Sequence, residues 1–258
     1  MPTLYHWEPN AGSLEVLAAL HEKNIPFESR YVDFLAGEMW RKLSSQEMAF
    51  AAEMEVVSNL EIEGPVLATE SGAALTDSYF INLYLDDAFA QTPLRPADAE
   101  SQWRINVWAR WIGEELYPAT NTLGCAKYAT AKLKDKAIET LPGQERQDAW
   151  RTAQRGYAID EIAEARRKIA VMLRRTEDAL AKGAYLVGES VSLADFTLLG
   201  ASLSLPKTAP DQFEGAPYTN AWLARMRERP SVQAALRYAR SNAPDESFAP
   251  GAERSRWG

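Results

Sequence analysis

The first part of the chain alternates short apolar runs with turns. Residues 3–7 contain β-formers and end at Glu8-Pro9-Asn10, which predicts a strand followed by a turn. Apolar residues then recur at helical spacing from Leu14 to Leu20, and Pro26 ends this predicted helix. Residues 27–34 alternate loosely and predict a second strand, so the chain opens with a β-α-β unit.

A hairpin and a capped helix are predicted after a polar, methionine-rich stretch, in which helix is expected at 39–43 and 46–57. Residues 64–69 and 73–76 flank a turn containing Gly72, which is a β-hairpin pattern. Asp77-Ser78 then caps a helix whose apolar positions between 80 and 85 lie on one face. A proline-containing linker follows, and we place the first domain at residues 1–88.

Only helical patterns occur between residues 97 and 238. The first predicted helix, 99–117, carries Trp103, Trp108 and Trp111 on one side, and a long helix with a charged outer face is predicted over 154–181. We place an all-helical second domain at residues 97–242 and an irregular tail at 243–258.

A capping box lies within this second domain. In Ser192-Leu193-Ala194-Asp195 the carboxylate is expected to reach back to the start of the helix. The apolar run that follows, residues 196–205, must therefore form a buried helix. Pro230 is expected to divide the last two amphipathic helices.

Composition narrows the classes of function. The 258 residues, 46% hydrophobic and 25% charged, are typical of a globular protein of two domains. The net charge of −8 argues against nucleic acid as a partner, and no apolar stretch is long enough to span a membrane. The N-terminus has no secretory signal pattern, and the single cysteine, Cys125, favours a reducing cytoplasm. His6 and His21 are too few and too distant for a metal site.

The order of elements and three local motifs resemble the glutathione transferase superfamily. These motifs are a proline that enters the hairpin, an acidic-Ser pair that caps the next helix, and the buried Ser-x-x-Asp box. The segments Ala11-Gly12-Ser13-Leu14 and 149–156 further resemble the bacterial β-etherases, which cleave β-aryl ethers of lignin-derived aromatics with glutathione. The resemblance implies a thioredoxin-like α/β domain followed by a helical bundle, glutathione as co-substrate without a metal, an aromatic substrate and a dimer.

Ser13 is the candidate catalytic residue, with Asn10 and Gly12 in the same turn. A hydroxyl donor at the N-terminus of a helix stabilises a thiolate and lowers its pKa. The alternative interpretation is that Ser13 only caps the helix, since serine is common at that position. No histidine lies near enough in sequence to activate Ser13 as a nucleophile.

The resemblance also assigns the residues that would hold glutathione. Pro65 matches the family's cis-proline, and the backbone of the preceding residue, Gly64, would pair with the cysteinyl part of the tripeptide. Asp77 would meet the γ-glutamyl ammonium, while Ser78 and the helix N-terminus would meet its carboxylate. The alternative interpretation of this pair is a helix cap, and both interpretations can be true together.

The chain departs from the family's pattern before the hairpin, where residues 59–65 read Asn-Leu-Glu-Ile-Glu-Gly-Pro. Glu61 and Glu63 would stand near an anionic tripeptide and weaken its binding. Residues 40–42 (Trp-Arg-Lys) are weak candidates for the glycine carboxylate. Three functions therefore stay open: β-ether cleavage, a subunit that stabilises a catalytic partner in a heterodimer, and a general detoxifying transferase. Cys125 is either a reactive thiol or, in the simpler interpretation, a buried structural cysteine.

Overall fold

The computed structural model of the protein describes residues 1–36, 64–128, 135–141 and 144–251. The predicted helices at 39–43 and 46–57 and the departures at 60–63 lie outside the described residues. The regular elements are β1 (Thr3–His6), α1 (Ala11–Glu22), β2 (Glu28–Tyr31), β3 (Val66–Ala68), β4 (Ala74–Leu75), α2 (Ser78–Ala88), α3 (Ala99–Trp111), a π-helical turn (Ile112–Leu116), α4 (Tyr117–Tyr128), α5 (Asp135–Glu139), α6 (Gln144–Arg155), α7 (Ile159–Leu180), α8 (Leu193–Ser202), α9 (Leu205–Thr208), α10 (Pro210–Glu214), α11 (Pro217–Glu228), α12 (Pro230–Leu236) and a 3₁₀ turn (Pro244–Glu246).

The strands form one sheet in the order β2-β1-β3-β4. β1 pairs in parallel with β2, with Thr3 opposite Glu28, and antiparallel with β3, with Leu4 opposite Leu67. Parallel neighbours need a crossover connection, which α1 supplies, and the antiparallel pair β3–β4 is the predicted hairpin. This confirms the predicted α/β domain with a β-α-β opening and a helical domain after it.

α1 is the helix on which the two domains meet. Its residues from Ser13 to Leu20 are all buried, because it packs against α2 on one side and against α8 and α12 on the other. A helix that is buried all round is expected at the centre of a fold, and the apolar spacing from Leu14 to Leu20 had indicated only one buried face. The site residues near its N-terminus are therefore held by both domains.

The first helix of the helical domain extends beyond its predicted end at residue 117. It passes through the π-helical turn and continues as α4 to Tyr128. Pro118 explains the irregular turn, since it has no N–H to donate and displaces the regular hydrogen-bond ladder. The prediction that Trp103, Trp108 and Trp111 share a packed face is also wrong, because Trp103 is 63% exposed whereas Trp108 is buried.

The long helix predicted over 154–181 is confirmed as α7 (Ile159–Leu180), but it begins five residues later than predicted, and residues 154–155 are the end of α6. α6 ends at Arg155 and α7 begins at Ile159. Gly156 lies between them with φ of +91°, the left-handed conformation that ends helices and that glycine adopts without strain. The charged periodicity on both sides of Gly156 continues without interruption, which is why the sequence pattern did not show the break.

The predicted capping box is confirmed. Both the backbone N–H and the hydroxyl of Ser192 donate to Asp195 Oδ2 over 2.9 Å. Asp195 Oδ1 accepts from Leu186 N–H and from Trp222 Nε1, each over 3.0 Å. The carboxylate thus joins the loop before α8, α8 itself and α11, and every residue of α8 is buried.

The end of the described chain packs on the molecule. In residues 243–251 the only regular element is the 3₁₀ turn, yet Phe248 is buried and stacks on Tyr128 with ring centroids 6.3 Å apart. Lys207 donates to Asp245 over 3.1 Å and to Glu246 over 2.7 Å. Among the described residues, no helix is both long and apolar enough to cross a membrane.

Candidate active site

Three residues that are distant in sequence meet at one end of α1. A Cβ on Gly12 would lie 3.1 Å from Pro65 Cδ and 3.1 Å from both Cβ and Oγ of Ser78. The first turn of α1, the first residue before β3 and the first residue of α2 are therefore in contact. Only a glycine leaves room for this approach without displacing its neighbours. The structure thus brings together Gly12, Pro65 and Ser78, as the resemblance implied.

Ser13 lies beside this contact, one residue further into α1. It is the third residue of the helix, and the N-cap is Asn10, so the alternative interpretation of Ser13 as the N-cap is wrong. Its Oγ accepts a hydrogen bond from Trp7 N–H over 3.1 Å, and it is only 4% exposed. Because a serine hydroxyl is both donor and acceptor, this bond uses acceptor capacity and leaves the hydroxyl proton to be donated.

The N-terminus of α2 is built on a strained residue. Asp77 has φ of +63° and ψ of +117°, a conformation that costs a non-glycine residue about 1–3 kcal/mol. Its Oδ1 accepts from Tyr79 N–H over 2.9 Å and from Phe80 N–H over 3.3 Å, so the predicted helix cap is confirmed. Ser78 follows as the first helical residue and is buried. The cap holds the backbone in its strained form and fixes Ser78 against Gly12.

The peptide bond between Gly64 and Pro65 is trans. The described peptide bonds include no cis bond, so the cis form implied by the resemblance is wrong for this structure. Trans is the lower-energy form of an X–Pro bond, by about 0.5–1 kcal/mol. Pro65 is buried against Gly12, whereas Gly64 is half-buried with no heavy atom within 4 Å of a Cβ placed on it.

Asn10 has a contact that the sequence did not indicate. Its Nδ2 donates over 2.9 Å to the carbonyl of Ser247, 237 positions away, instead of capping α1. Two positions earlier, the Glu8 carboxylate accepts from Tyr31 Oη over 2.7 Å and from the backbone N–H groups of Arg240 and Ser241. Glu8 appeared in the sequence only as part of a turn, and no local pattern pointed to these partners.

His6 is a neutral structural residue next to the same turn. Its Nδ1 lies 2.6 Å from the Trp7 carbonyl, which can only accept, so Nδ1 carries the proton and Nε2 accepts from Ser29 Oγ over 2.8 Å. Burial lowers the pKa of His6, outweighing the opposite effect of the bond to Trp7. With both ring nitrogens occupied, His6 cannot serve as a base for Ser13.

Cys125 is buried, and burial raises the pKa of its thiol to about 12. Its Sγ lies 3.7 Å from Asn121 Oδ1. The interpretation as a structural cysteine is the one that these values favour, since a reactive cysteine needs a lowered pKa and access to solvent. Trp150 is likewise buried, in a small cluster with Ile138, Leu141 and Leu35.

The arrangement suits an anionic sulfur held beside Ser13. The hydroxyl donor, the N-terminus of α1 and the N-terminus of α2 all place positive dipole ends at one corner of the sheet. The Asp77 carboxylate at the same corner can meet an ammonium group.

Comparison with known proteins agrees with the fold. The family model described as glutathione S-transferase, C-terminal domain, matches residues 147–230. Protein LigF of Sphingobium sp. strain SYK-6 is 31% identical over 248 residues, covering 89% of this chain and 91% of LigF. Glutathione S-transferase F14 of Arabidopsis thaliana is 26% identical and covers 85% of this chain and 77% of its own.

Solved structures show the same relationship. The crystal structure of β-etherase LigF from Sphingobium sp. strain SYK-6 has a TM-score of 0.79 at 30% identity, covering 92% of this chain and 99% of LigF. Poplar glutathione transferase F1 has a TM-score of 0.64 at 22% identity, covering 92% and 96%. At that lower identity the similarity concerns the fold alone.

Proposed function

This chain belongs to the glutathione transferase family, and we propose that it cleaves β-aryl ether bonds in lignin-derived aromatic dimers with the thiolate of glutathione. The observation that carries the proposal is the Ser13 hydroxyl, which accepts from Trp7 N–H and keeps its own proton for a ligand. The relationship to a protein described as a β-etherase over nearly the whole chain supports the ether as substrate.

The described residues fit a tripeptide thiol. Asp77 offers a carboxylate to an ammonium group, and the Ser78 hydroxyl lies at the start of α2, where unpaired N–H groups attract a carboxylate. Gly12 allows Pro65 and Ser78 to pack against the first turn of α1, which keeps these residues next to Ser13. We assign Ser13, Gly12, Gly64, Pro65, Asp77 and Ser78 to the glutathione site, and Asn10 to its support.

The chain's own groups lower the free energy of the thiolate. Ser13 donates a hydrogen bond to the sulfur, and the dipole of α1 adds a favourable field, so the pKa of the bound thiol falls. When bound, glutathione supplies the nucleophile, which forms a carbon–sulfur bond next to the ketone as the carbon–oxygen bond breaks and phenolate leaves with the electron pair. The phenolate takes a proton from solvent, and no metal is required.

The second candidate function, that of a supporting subunit, requires a surface that another subunit can cover. Phe80 and Trp103 are 44% and 63% exposed on the adjacent helices α2 and α3, which Tyr79 Oη joins by donating to Asn106 Oδ1 over 2.5 Å. Exposed apolar side chains on neighbouring elements are typical of a protein interface. We propose that a second subunit, identical or homologous, covers this face in the cytoplasm.

Replacement of Ser13 by alanine separates these functions. We expect kcat for ether cleavage to fall by about 10²–10³-fold, as for the loss of one preorganised donor, with glutathione still bound in calorimetry. Ser202→Ala, another buried serine on a helix, is the matched control and should keep its activity.

Three outcomes would argue against the ether-cleaving enzyme. Absence of glutathione binding together with no dependence on Ser13 would contradict it, and co-purification with a distinct homologue would favour the supporting subunit. Conjugation of a chlorodinitrobenzene without any ether cleavage would favour a general detoxifying transferase.

A further inference from the structure

The turn that leads into α1 is buried by the end of the chain. Trp7, Glu8 and Asn10 are all less than a tenth exposed, although they form a loop at the edge of the sheet. Glu8 and Asn10 both bind residues 240–248, which we call the C-terminal strap. The strap follows α12 and crosses the turn that precedes Ser13.

Glu8 holds one end of the strap. Its carboxylate accepts from Arg240 N–H over 3.1 Å and from Ser241 N–H over 3.0 Å, and also from Tyr31 Oη over 2.7 Å. A buried carboxylate is stable only when donors of this kind surround it. The side chain of Arg240 lies over the Tyr31 ring, 3.9 Å from its centroid, and adds a second contact at the same place.

Asn10 holds the other end through its bond to the Ser247 carbonyl. The two anchors flank Pro9, so the strap between 241 and 247 is fixed to the turn on both sides. Phe248 then enters a notch at Gly124, where any Cβ would overlap its ring. Because specific side chains fix both ends of the strap, the sequence determines its position on the turn.

Both anchors lie next to groups that fix the position of the Ser13 hydroxyl. Glu8 is the direct neighbour of Trp7, whose N–H donates to Ser13 Oγ, and Asn10 is the N-cap of the helix that carries Ser13. Displacement of the strap would release both residues and admit water to the buried turn. A hydroxyl that must point at one sulfur atom depends on this support.

We propose that the C-terminal strap is a working part of the active site and that Glu8 is its positioning residue. The proposal rests on the proposed function, in which the Ser13 hydroxyl stabilises the thiolate of glutathione. Glu8 does not touch the reacting atoms; it fixes the turn that orients the Ser13 hydroxyl and keeps water out. Loss of the Glu8 contacts should therefore lower kcat without a matching change in glutathione binding.

The test compares Glu8→Gln with Glu22→Gln. Glu22 is the matched control: it lies at the other end of α1, and its carboxylate likewise binds a residue near the C-terminus, Arg229. For Glu8→Gln we expect faster hydrogen exchange at the amides of Arg240 and Ser241 and a fall in kcat of about 10–100-fold, with the KM for glutathione changed less than threefold. Glu22→Gln should lose stability while keeping kcat.

A second set of variants covers the case in which Glu8→Gln does not fold. Gly124→Ala should expel Phe248 and lower kcat, and Phe248→Ala should lower it to a similar extent. The double variant should then be no worse than Phe248→Ala, because both changes act on one contact.

All rates are measured with an aryl ether and with a chlorodinitrobenzene, each relative to wild type. A wild-type protein that conjugates the second compound only would contradict the ether as substrate and leave the strap testable. If the wild-type protein is inactive on both compounds, its variants are compared with it by hydrogen exchange of the Trp7 amide, which we expect the strap to protect. Faster exchange at the strap amides with an unchanged kcat would overturn the proposal. For a protein inactive on both compounds, faster exchange at the strap amides with unchanged exchange at the Trp7 amide would overturn it.

Discussion

The hydroxyl of Thr197 donates to the carboxylate of Glu15 over 2.8 Å, although 182 positions separate them. Glu15 lies two residues after Ser13 on α1 and is fully buried. It also accepts from Tyr117 Oη over 3.2 Å and from Asn82 Nδ2 over 3.3 Å, so donors from α8, α4 and α2 meet on one carboxylate. This polar contact connects the two domains directly behind the active site.

Replacement of Glu15 by leucine should destabilise the protein by about 3 kcal/mol or more. The change removes the acceptor of the Tyr117 hydroxyl and of the Asn82 amide, at about 1–3 kcal/mol for each group. Thr197, in contrast, can turn its proton to the Leu193 carbonyl over 3.1 Å. Urea unfolding measures the difference. Thr197→Val, which removes a single donor, should cost about 1 kcal/mol, and a Glu15→Leu variant as stable as wild type would show that the contact is dispensable.

Asp195→Asn should destabilise the helical domain by about 2–4 kcal/mol. The amide nitrogen of asparagine would replace one of the two carboxylate oxygens. It would then face either the two donors of Ser192 or the donors of Leu186 and Trp222, and two donors cannot form a hydrogen bond with each other. Thermal unfolding with Asp211→Asn, an exposed carboxylate, as control tests this. Equal melting temperatures for the two variants would refute the role given to the capping box.

Gly12→Ala should weaken glutathione binding about five- to tenfold and destabilise the fold by about 1–3 kcal/mol. The new methyl would press on Pro65 and Ser78, which must move to relieve the overlap. Gly215→Ala is the matched control, because its Cβ would meet only ordinary contacts at 3.6 Å and 3.9 Å. Calorimetry measures both affinities, and an unaffected Gly12→Ala variant would remove Gly12 from the site.

Stability should fall at acid pH through Asp86. Burial would raise the pKa of Asp86, but hydrogen bonds from Lys23, Leu94 N–H and Arg95 outweigh it and hold that pKa below its ordinary 3.8. The stabilisation is therefore complete above the pKa of the unfolded chain and is lost as pH falls through the lower pKa of the folded state.

Urea titrations at pH 7 and near pH 3 test this dependence. Asp86→Asn leaves the buried Lys23 ammonium without its carboxylate, which should cost about 3–5 kcal/mol at pH 7. The variant should also show a weaker loss of stability on acidification. A dependence as steep as that of wild type would assign acid sensitivity to other groups.

Cys125 should resist thiol reagents in the native protein. Its buried thiol, with a pKa of about 12, forms almost no thiolate at pH 8. A chromogenic disulfide should modify it only in denaturant, and since the chain has one cysteine the signal has a single source. Rapid reaction of the folded protein would restore the reactive-thiol interpretation.

Local patterns in the sequence were enough to predict much of the fold. The spacing from Leu14 to Leu20, the cap at Asp77 and the capping box at Ser192 each depend on residues within one or two turns. The break at Gly156 was missed because glycine is tolerated in helices and the charged pattern continued past it. Pro118 interrupts a helix whose continuation depends on packing and not on periodicity.

The site could be predicted only in part, because local patterns do not show contacts between residues that are distant in sequence. Gly12, Pro65 and Ser78 could be placed together because a family pattern relates them, and glutathione binding by them stays a prediction. The contacts of Glu8 and Asn10 with the C-terminal strap could not be found, since the strap lies more than 200 positions away and makes these contacts with its backbone groups. A contact made by a backbone group does not depend on the side chain at that position, so the sequence does not indicate it.

The contact of Glu15 with Thr197 also affects how the chain folds during synthesis. α1 leaves the ribosome early, but Thr197, one of the donors to the Glu15 carboxylate, is made 182 residues later. At about 5–20 residues per second, the delay is roughly ten to forty seconds. During that time the Glu15 carboxylate has the Asn82 amide of its own domain but not the Thr197 hydroxyl of α8. Expressed without the helical domain, the α/β half should stay unfolded, so the two domains form one cooperative unit.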